Sequence, residues 1–318
     1  MSDDFQISVA GLGFCGTGLH RPECVLATAR GDLFVSDSRG GVLHIQPDGQ
    51  QRLIGSDTKL VPNGIALRQD GSFLVANLHS PGGVWELRLD GQARPFLLEV
   101  DGVPLEAVNF VRLDSGGRLW ICANPALAAD GRYRTEATEG VIIVVDGAGA
   151  RIAADGIAGT NECLVHPNAK HLFVNETFGR RLTRFGIGPD ATLLDRTVHA
   201  QFGHGCYPDG LALDEEDSIW VVGVAANRLI RVMPDGSQHV VLDDSDANHL
   251  ETLEQAYLQH RLTRPMLVTP TDTTLKSLSS IAFGGPGRRT AFLGSIAGTQ
   301  LATFQSPVVG HAPIHWGW

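Results

Sequence analysis

The chain holds 318 residues, 43% of them apolar, with 25 basic and 35 acidic side chains for a net charge of −10. That is enough material for a sizeable core, while the missing basic stripe and the presence of only three lysines, Lys59, Lys170 and Lys276, argue against nucleic acid or an anionic membrane surface as partner. No apolar run approaches membrane-spanning length, and MSDDFQISVAGLGF lacks the basic and apolar regions of an export signal, so a cytoplasmic protein with its five cysteines reduced is expected.

In chain order, FQISVAGLGF reads as a strand that could join the last sheet from the opposite terminus. A unit then repeats. A polar or acidic anchor is followed ten to twelve residues later by an aromatic inside a short apolar strand: Glu23 and Phe34, Asn63 and Phe73, Asn109 and Trp120, Asn161 and Phe173, Asp209 and Trp220, Ser280 and Phe292. Successive anchors lie 40, 46, 52, 48 and 71 residues apart. Each interval opens with a strand such as GIALR or GLALD and turns through a DG, GG or PN pair. The aromatic strand follows, then a third strand such as GVWELR or RLIRVM, and a weaker fourth. The period and the strand content predict an all-β fold, a six-bladed β-propeller with four antiparallel strands per blade. A closed ring of blades is one unit, so residues 1–318 are expected to form a single domain.

The fifth interval is too long. Residues 245–276 form an insert between blades five and six, with Leu250, Leu253, Ala256 and Tyr257 at helical spacing. Such a connection lies on the face where the inner strands begin, which is also the anchors' face. The insert therefore reads as a candidate lid; a packing or oligomer contact is the alternative.

A radial fold brings equivalent positions of all blades to one axis. Glu23 and Asp209 would offer carboxylates there, and Asn109 and Asn161 amide oxygens. This donor set suits a hard divalent cation. Spacing alone is equally compatible with polar residues that only cap strand starts.

The segments PECVLATARGDLFVSD, TNECLVHPNAKHLFVNETFGRRLTRF, YPDGLALDEEDSIWVVGVAANRLIRV and SSIAFGGPGRRTAFL resemble the SMP-30/gluconolactonase (regucalcin-like) family of six-bladed propellers, over nearly the whole chain from about Pro22 to Phe304. The resemblance implies one divalent metal held by Glu23, Asn161 and Asp209, with Asn109 as a metal or substrate ligand. The ion would be Ca²⁺ first, with Mg²⁺, Mn²⁺ or Zn²⁺ as alternatives. It further implies a metal-dependent hydrolase that opens a lactone, with Asp209 as the base activating water. Phosphotriester or other ester cleavage on the same site, or non-enzymatic ligand binding, are the alternatives. Sugar-lactone members carry Arg-x-Asn-Asp in the third blade. Here that stretch is Ala107-Val108-Asn109-Phe110, so a less hydroxylated, more apolar lactone or ester is the expected small-molecule partner.

His20, His204 and Tyr207, close to Glu23 or Asp209, are candidate substrate contacts, as are Asn109, Phe110 and Glu176, the last at the end of an inner strand in VNETFG. Cys24, Cys163 and Cys206 lie near three anchors, but their spacing matches no zinc motif and small buried thiols are the commoner role. The tail PIHWGW, with His311 and His315 before or within it, has no place in the repeat.

Overall fold

Short runs of β-branched and aromatic residues between tight turns cannot bury both faces alone, so they pair into small sheets that stack face to face. The computed structural model describes residues 5–56, 58–124, 132–269 and 271–318. Of six four-stranded antiparallel sheets, five are built from four consecutive strands in sequence order, and the sixth combines three C-terminal strands with one from the N-terminus. Their inner strands are Val25–Ala27, Pro62–Leu67, Val108–Leu113, Thr160–Val165, Pro208–Leu213 and Leu278–Gly284. Neighbouring inner strands touch all the way round, blade six returning to blade one. The fold is the expected six-bladed propeller.

Closure comes from the N-terminal segment. Gly13–Cys15 forms the outermost strand of blade six, pairing with Leu301–Gln305 in the register Gly13 to Thr303. Just before it, the Ile7 amide donates to the Val241 carbonyl at 2.7 Å and Phe5 packs on Trp220, so the same segment also seals blade five.

The repeated aromatics fill the gaps between blades. Phe34, Phe73, Trp120 and Trp220 are fully buried, and truncating any of them to alanine would cost about 3–5 kcal/mol. Both indoles are satisfied in the same way. Trp120 Nε1 donates to Asp114 Oδ2 at 2.8 Å and Trp220 Nε1 to Asp214 Oδ2 at 2.9 Å, from the turn six residues earlier in each blade. The blades meet so closely at the axis that glycine is required in two inner strands. A Cβ at Gly64 would lie 2.4 Å from Phe110 Cδ2, and one at Gly210 would lie 2.3 Å from the Ser279 carbonyl oxygen.

Two further segments close the ends of the axis. The tail crosses the face opposite the anchors: His311 N donates to the Leu213 carbonyl, the Trp316 carbonyl accepts from Ala29 N, and Trp318 meets Phe34 edge-on at 5.1 Å. It floors a cavity of about 310 Å³ lined by the lower ends of the inner strands. There His315 is half-buried, and desolvation, with the charge of Arg112, lowers its pKa to about 4. At the anchors' face the insert forms helix α1, Ala247–Leu258, and a short helix α2, Arg264–Leu267. Asp246 caps α1 by accepting from the Asn248 and His249 amides, the favoured N-cap arrangement. The apolar stripe read from the sequence, Leu250, Leu253, Ala256 and Tyr257, packs on Phe178, Tyr207 and Val224 of the propeller rim. Arg180 stacks over the Tyr257 ring at 4.0 Å and pairs with Glu254 at 2.5 Å, which fastens α1 to blade four. Among the described residues no helix is long and apolar enough to cross a membrane.

Candidate active site at the axis

Five anchors open onto one cavity of about 80 Å³ beneath the insert: Glu23, Asn63, Asn109, Asn161 and Asp209. A local device presents them. In blades two to five the pairing of inner and second strand slips at the anchor: between Pro62 and Ile65, Val108 and Phe110, Thr160 and Cys163, and Pro208 and Leu211. Such bulges re-aim side chains, here toward the axis. In blade six the slip falls between Leu278 and Ser280, so the residue at the bulge is Ser279 rather than Ser280. Its hydroxyl donates to the Glu23 carbonyl at 2.9 Å, and blade six adds neither serine to the cavity wall.

The polar groups are tightly interlocked. Asn63 Nδ2 donates to Glu23 Oε1 at 2.8 Å and to the Asn109 carbonyl at 2.8 Å, while Asn63 Oδ1 accepts from Arg21 at 2.6 Å. Asn161 Nδ2 donates to Thr177 Oγ1 at 3.0 Å, and that hydroxyl donates to the Pro208 carbonyl. Asn175 holds the Asp209 backbone carbonyl at 2.8 Å. After these bonds, Glu23 Oε2 and Asn161 Oδ1 are buried without a donor.

Electrostatics follow from burial. Desolvation pushes the Glu23 carboxyl up to about 6, opposed by Arg21, Arg264 and the Asn63 bond. Asp209 is pushed well above the usual carboxylate range, first by burial and then by the negative charge of Glu23; Asn161, Arg21 and Arg264 act the other way. Two carboxylates held together in a desolvated cavity are the arrangement that a divalent cation relieves. Among the described residues no three His, Cys, Asp or Glu side chains cluster as a metal site, so an ion here would lean on amide oxygens as well as carboxylates.

Five expected substrate contacts lie elsewhere. Phe110 packs under Gly64 between blades two and three and lines the opposite cavity, because the bulge at Asn109 turns it into the core. Glu176 is fully buried in a structural network, accepting from Arg181 at 2.7 Å, Arg196 at 3.0 Å, Thr183 at 2.6 Å and the Ala158 amide. His204 is exposed and pairs with Glu251 of α1 at 3.1 Å. Tyr207 is buried under α1, with its ring edge-on to Tyr257. His20 is exposed and contributes its carbonyl to Ser38 N. The lid residues are also reassigned: Leu250, Leu253 and Tyr257 anchor α1, while Arg264, Leu267 and Val268 line the cavity. Cys24 and Cys206 are buried with pKa values driven up by desolvation, Cys206 to about 12, which keeps them as thiols rather than nucleophiles.

Glu176→Ala strands four donors that its carboxylate now satisfies. Melting temperature should fall by an amount corresponding to about 3–5 kcal/mol, while kcat of the folded fraction stays near wild type. A large loss of kcat without a loss of stability would restore Glu176 to the site.

Other wall residues carried weak or no sequence signal: Arg21, Asn124, Tyr133, Thr177, Phe178 and Arg264. Glu162 was legible in principle, as a carboxylate one step past an anchor where other blades put Cys24, Gly64, Phe110 or Gly210. It lies buried near Glu23 and Asp209 with Oε1 unpartnered, and burial together with those two charges holds its pKa well above the ordinary value.

Fold and axial cavity together define a six-bladed propeller with a buried, oxygen-rich cavity on its axis. The family described as SMP-30/gluconolactonase/LRE-like region matches residues 21–243, well over half of the chain, and the protein belongs to that family. Solved structures with the same architecture include a gluconolactonase from Xanthomonas campestris (18% identity, 93% of this chain and 89% of that one, TM-score 0.67). A calcium-binding regucalcin from Agrobacterium tumefaciens matches similarly (17% identity, 94% and 96% covered, TM-score 0.67). So does a luciferin-regenerating enzyme (16% identity, 98% of both chains, TM-score 0.67). At these identities the likeness is one of fold.

Proposed function

We propose that this chain is a metal-dependent hydrolase that opens a lactone. The carrying observation is the convergence of Glu23, Asn109, Asn161 and Asp209 on one buried cavity, with Glu23 Oε2 and Asn161 Oδ1 left unpartnered. Buried oxygens without donors are costly unless a ligand meets them. The donor set is all oxygen, with two carboxylates to balance a divalent charge, which favours Ca²⁺ or Mg²⁺ over softer ions. Glu23, Asn161 and Asp209 would hold the ion, with Asn109 beside it. Bound there, a divalent cation supplies Lewis-acid polarisation of an ester carbonyl.

The protein's own groups account for the rest. Asp209 accepts a proton from water as the water oxygen bonds to the carbonyl carbon. The ring C–O bond then breaks, the same proton passes to the departing alkoxide, and a hydroxy acid results. Arg21 and Arg264 favour the ionised form of Asp209 that this requires. Asn63, locked to Glu23, Asn109 and Arg21 at once, positions two anchors. Beside its polar anchors the wall has an apolar side, Leu78, Ala107, Phe178, Val224 and Ile296, which offers a polyol no hydrogen-bond partners.

The test is a panel of sugar, aliphatic and aromatic lactones with metal-stripped protein, supplemented in turn with Ca²⁺, Mg²⁺, Mn²⁺ and Zn²⁺. Cation-dependent ring opening is expected, with an apolar lactone exceeding glucono-δ-lactone in kcat/KM. Equal or better turnover of glucono-δ-lactone would sink the argument from the wall. No turnover of any lactone with any of the four ions would sink the hydrolase reading.

A further inference from the structure

The insert does more than cover the cavity, because it delivers a cation that the propeller scaffold does not supply. Arg264 opens helix α2 and lines the cavity beside Leu267 and Val268. Its situation differs from that of Arg21, whose guanidinium is held by Asn63 Oδ1 at 2.6 Å and the Pro62 carbonyl at 3.3 Å. Among the described residues, the Arg264 guanidinium donates to no carboxylate, carbonyl or hydroxyl group, though it acts on Glu23, Asp209, Arg21 and Tyr133 through space. A guanidinium has five donors and no acceptor, and a planar fork that matches carboxylate. One that lines a cavity and meets no acceptor among the described residues has its donors available to a ligand.

Charge points the same way. Glu23 and Asp209 balance Arg21 and Arg264 within the protein, and a divalent cation would add two positive charges. Even with Glu162 fully ionised beneath them, the site would then be positive. Apart from amide and hydroxyl groups, the remaining wall carries no charge and has an apolar side made by Leu78, Ala107, Val224 and Ile296 and by the Tyr133 and Phe178 rings, stacked at 4.0 Å between centres.

Resting on the lactone-hydrolase reading of this same site, we infer that the substrate is a lactone bearing a carboxylate on an otherwise apolar body, and that Arg264 pairs with this carboxylate. Arg264 is then a specificity determinant contributed by the insert. It acts on substrate binding, so its effect falls chiefly on KM.

The experiment uses metal-loaded protein and a matched pair of substrates: a γ-lactone carrying a ring carboxylate, and its neutral carboxamide. Wild type should favour the carboxylate by roughly ten- to a hundredfold in kcat/KM, the range for hydrogen bonds to a charged group. Arg264→Gln should collapse that ratio toward one, and Arg264→Lys should retain part of it. Calorimetry with tetrahydrofuran-2-carboxylate, which lacks the hydrolysable ester, supplies a readout independent of turnover. It should bind wild type at least about tenfold more tightly than Arg264→Gln. A ratio near one in wild type, or an unchanged ratio in Arg264→Gln, overturns the inference and leaves the hydrolase reading intact. If neither lactone turns over, the hydrolase reading fails alone. The tetrahydrofuran carboxylate then decides: weaker binding to Arg264→Gln upholds the anion contact, and equal binding overturns it.

Discussion

Asp209→Asn should lower kcat by roughly 10²–10⁴-fold at saturating cation, the usual contribution of a general base, and should at the same time make the metal-free protein more stable at neutral pH. The two effects have one cause. Asp209 is buried beside Glu23, and both burial and that neighbouring charge resist its ionisation. The amide keeps the shape and removes the repelled charge, so the fold gains what the chemistry loses. Steady-state kinetics on the best lactone of the panel and thermal unfolding of metal-stripped protein measure the two halves. Near-wild-type kcat with cation bound would remove Asp209 as the base. A lower melting temperature in the metal-free variant would show that its carboxylate contributes to stability rather than opposing it.

Cation should raise the melting temperature, and more at pH 7.5 than at pH 5. The sign follows from Glu23. Its pKa in the fold is about 6 against an ordinary 4.5, so the folded protein binds the proton more tightly than the unfolded chain. The contribution of the protonated group is fully present below pH 4.5 and is lost as pH rises through 6. The cost at neutral pH is on the order of 2 kcal/mol for this group; Asp209 shifts in the same direction. A divalent ion held by the ionised pair would offset that loss. At a concentration one hundred times Kd it adds about 2.7 kcal/mol, a shift of several degrees. Equal Ca²⁺-induced shifts at the two pH values would exclude the carboxylate pair as the ion's ligands, and no shift at either would exclude the ion.

These outcomes bear on residues that were legible because the repeat places them. Glu23, Asn63, Asn109, Asn161 and Asp209 occupy one register, and radial closure turns equal register into spatial convergence. The same logic faltered in blade six, where the bulge falls one residue earlier and Ser279, not Ser280, takes the special position. It failed for residues chosen by nearness in the chain. His204 and Tyr207 sit within a few residues of Asp209, yet α1 draws both toward itself. Glu176 ends the strand next to the site strand of blade four, but Arg181 and Arg196 capture it.

What the sequence by itself determined was therefore the blade count, the closing N-terminal strand, the helical insert and the five polar residues on the axis. Each is written in a local period, of apolar strands, turn residues and anchor spacing, that survives whatever the rest of the chain does. The pairing of Tyr133 with Phe178, the fastening of α1 by Arg180, the tail across the far face and the arrival of Arg264 over the cavity were decided only by the tertiary structure. Those contacts join loops far apart in the chain, and a loop's direction is set by what it packs against rather than by its own residue pattern.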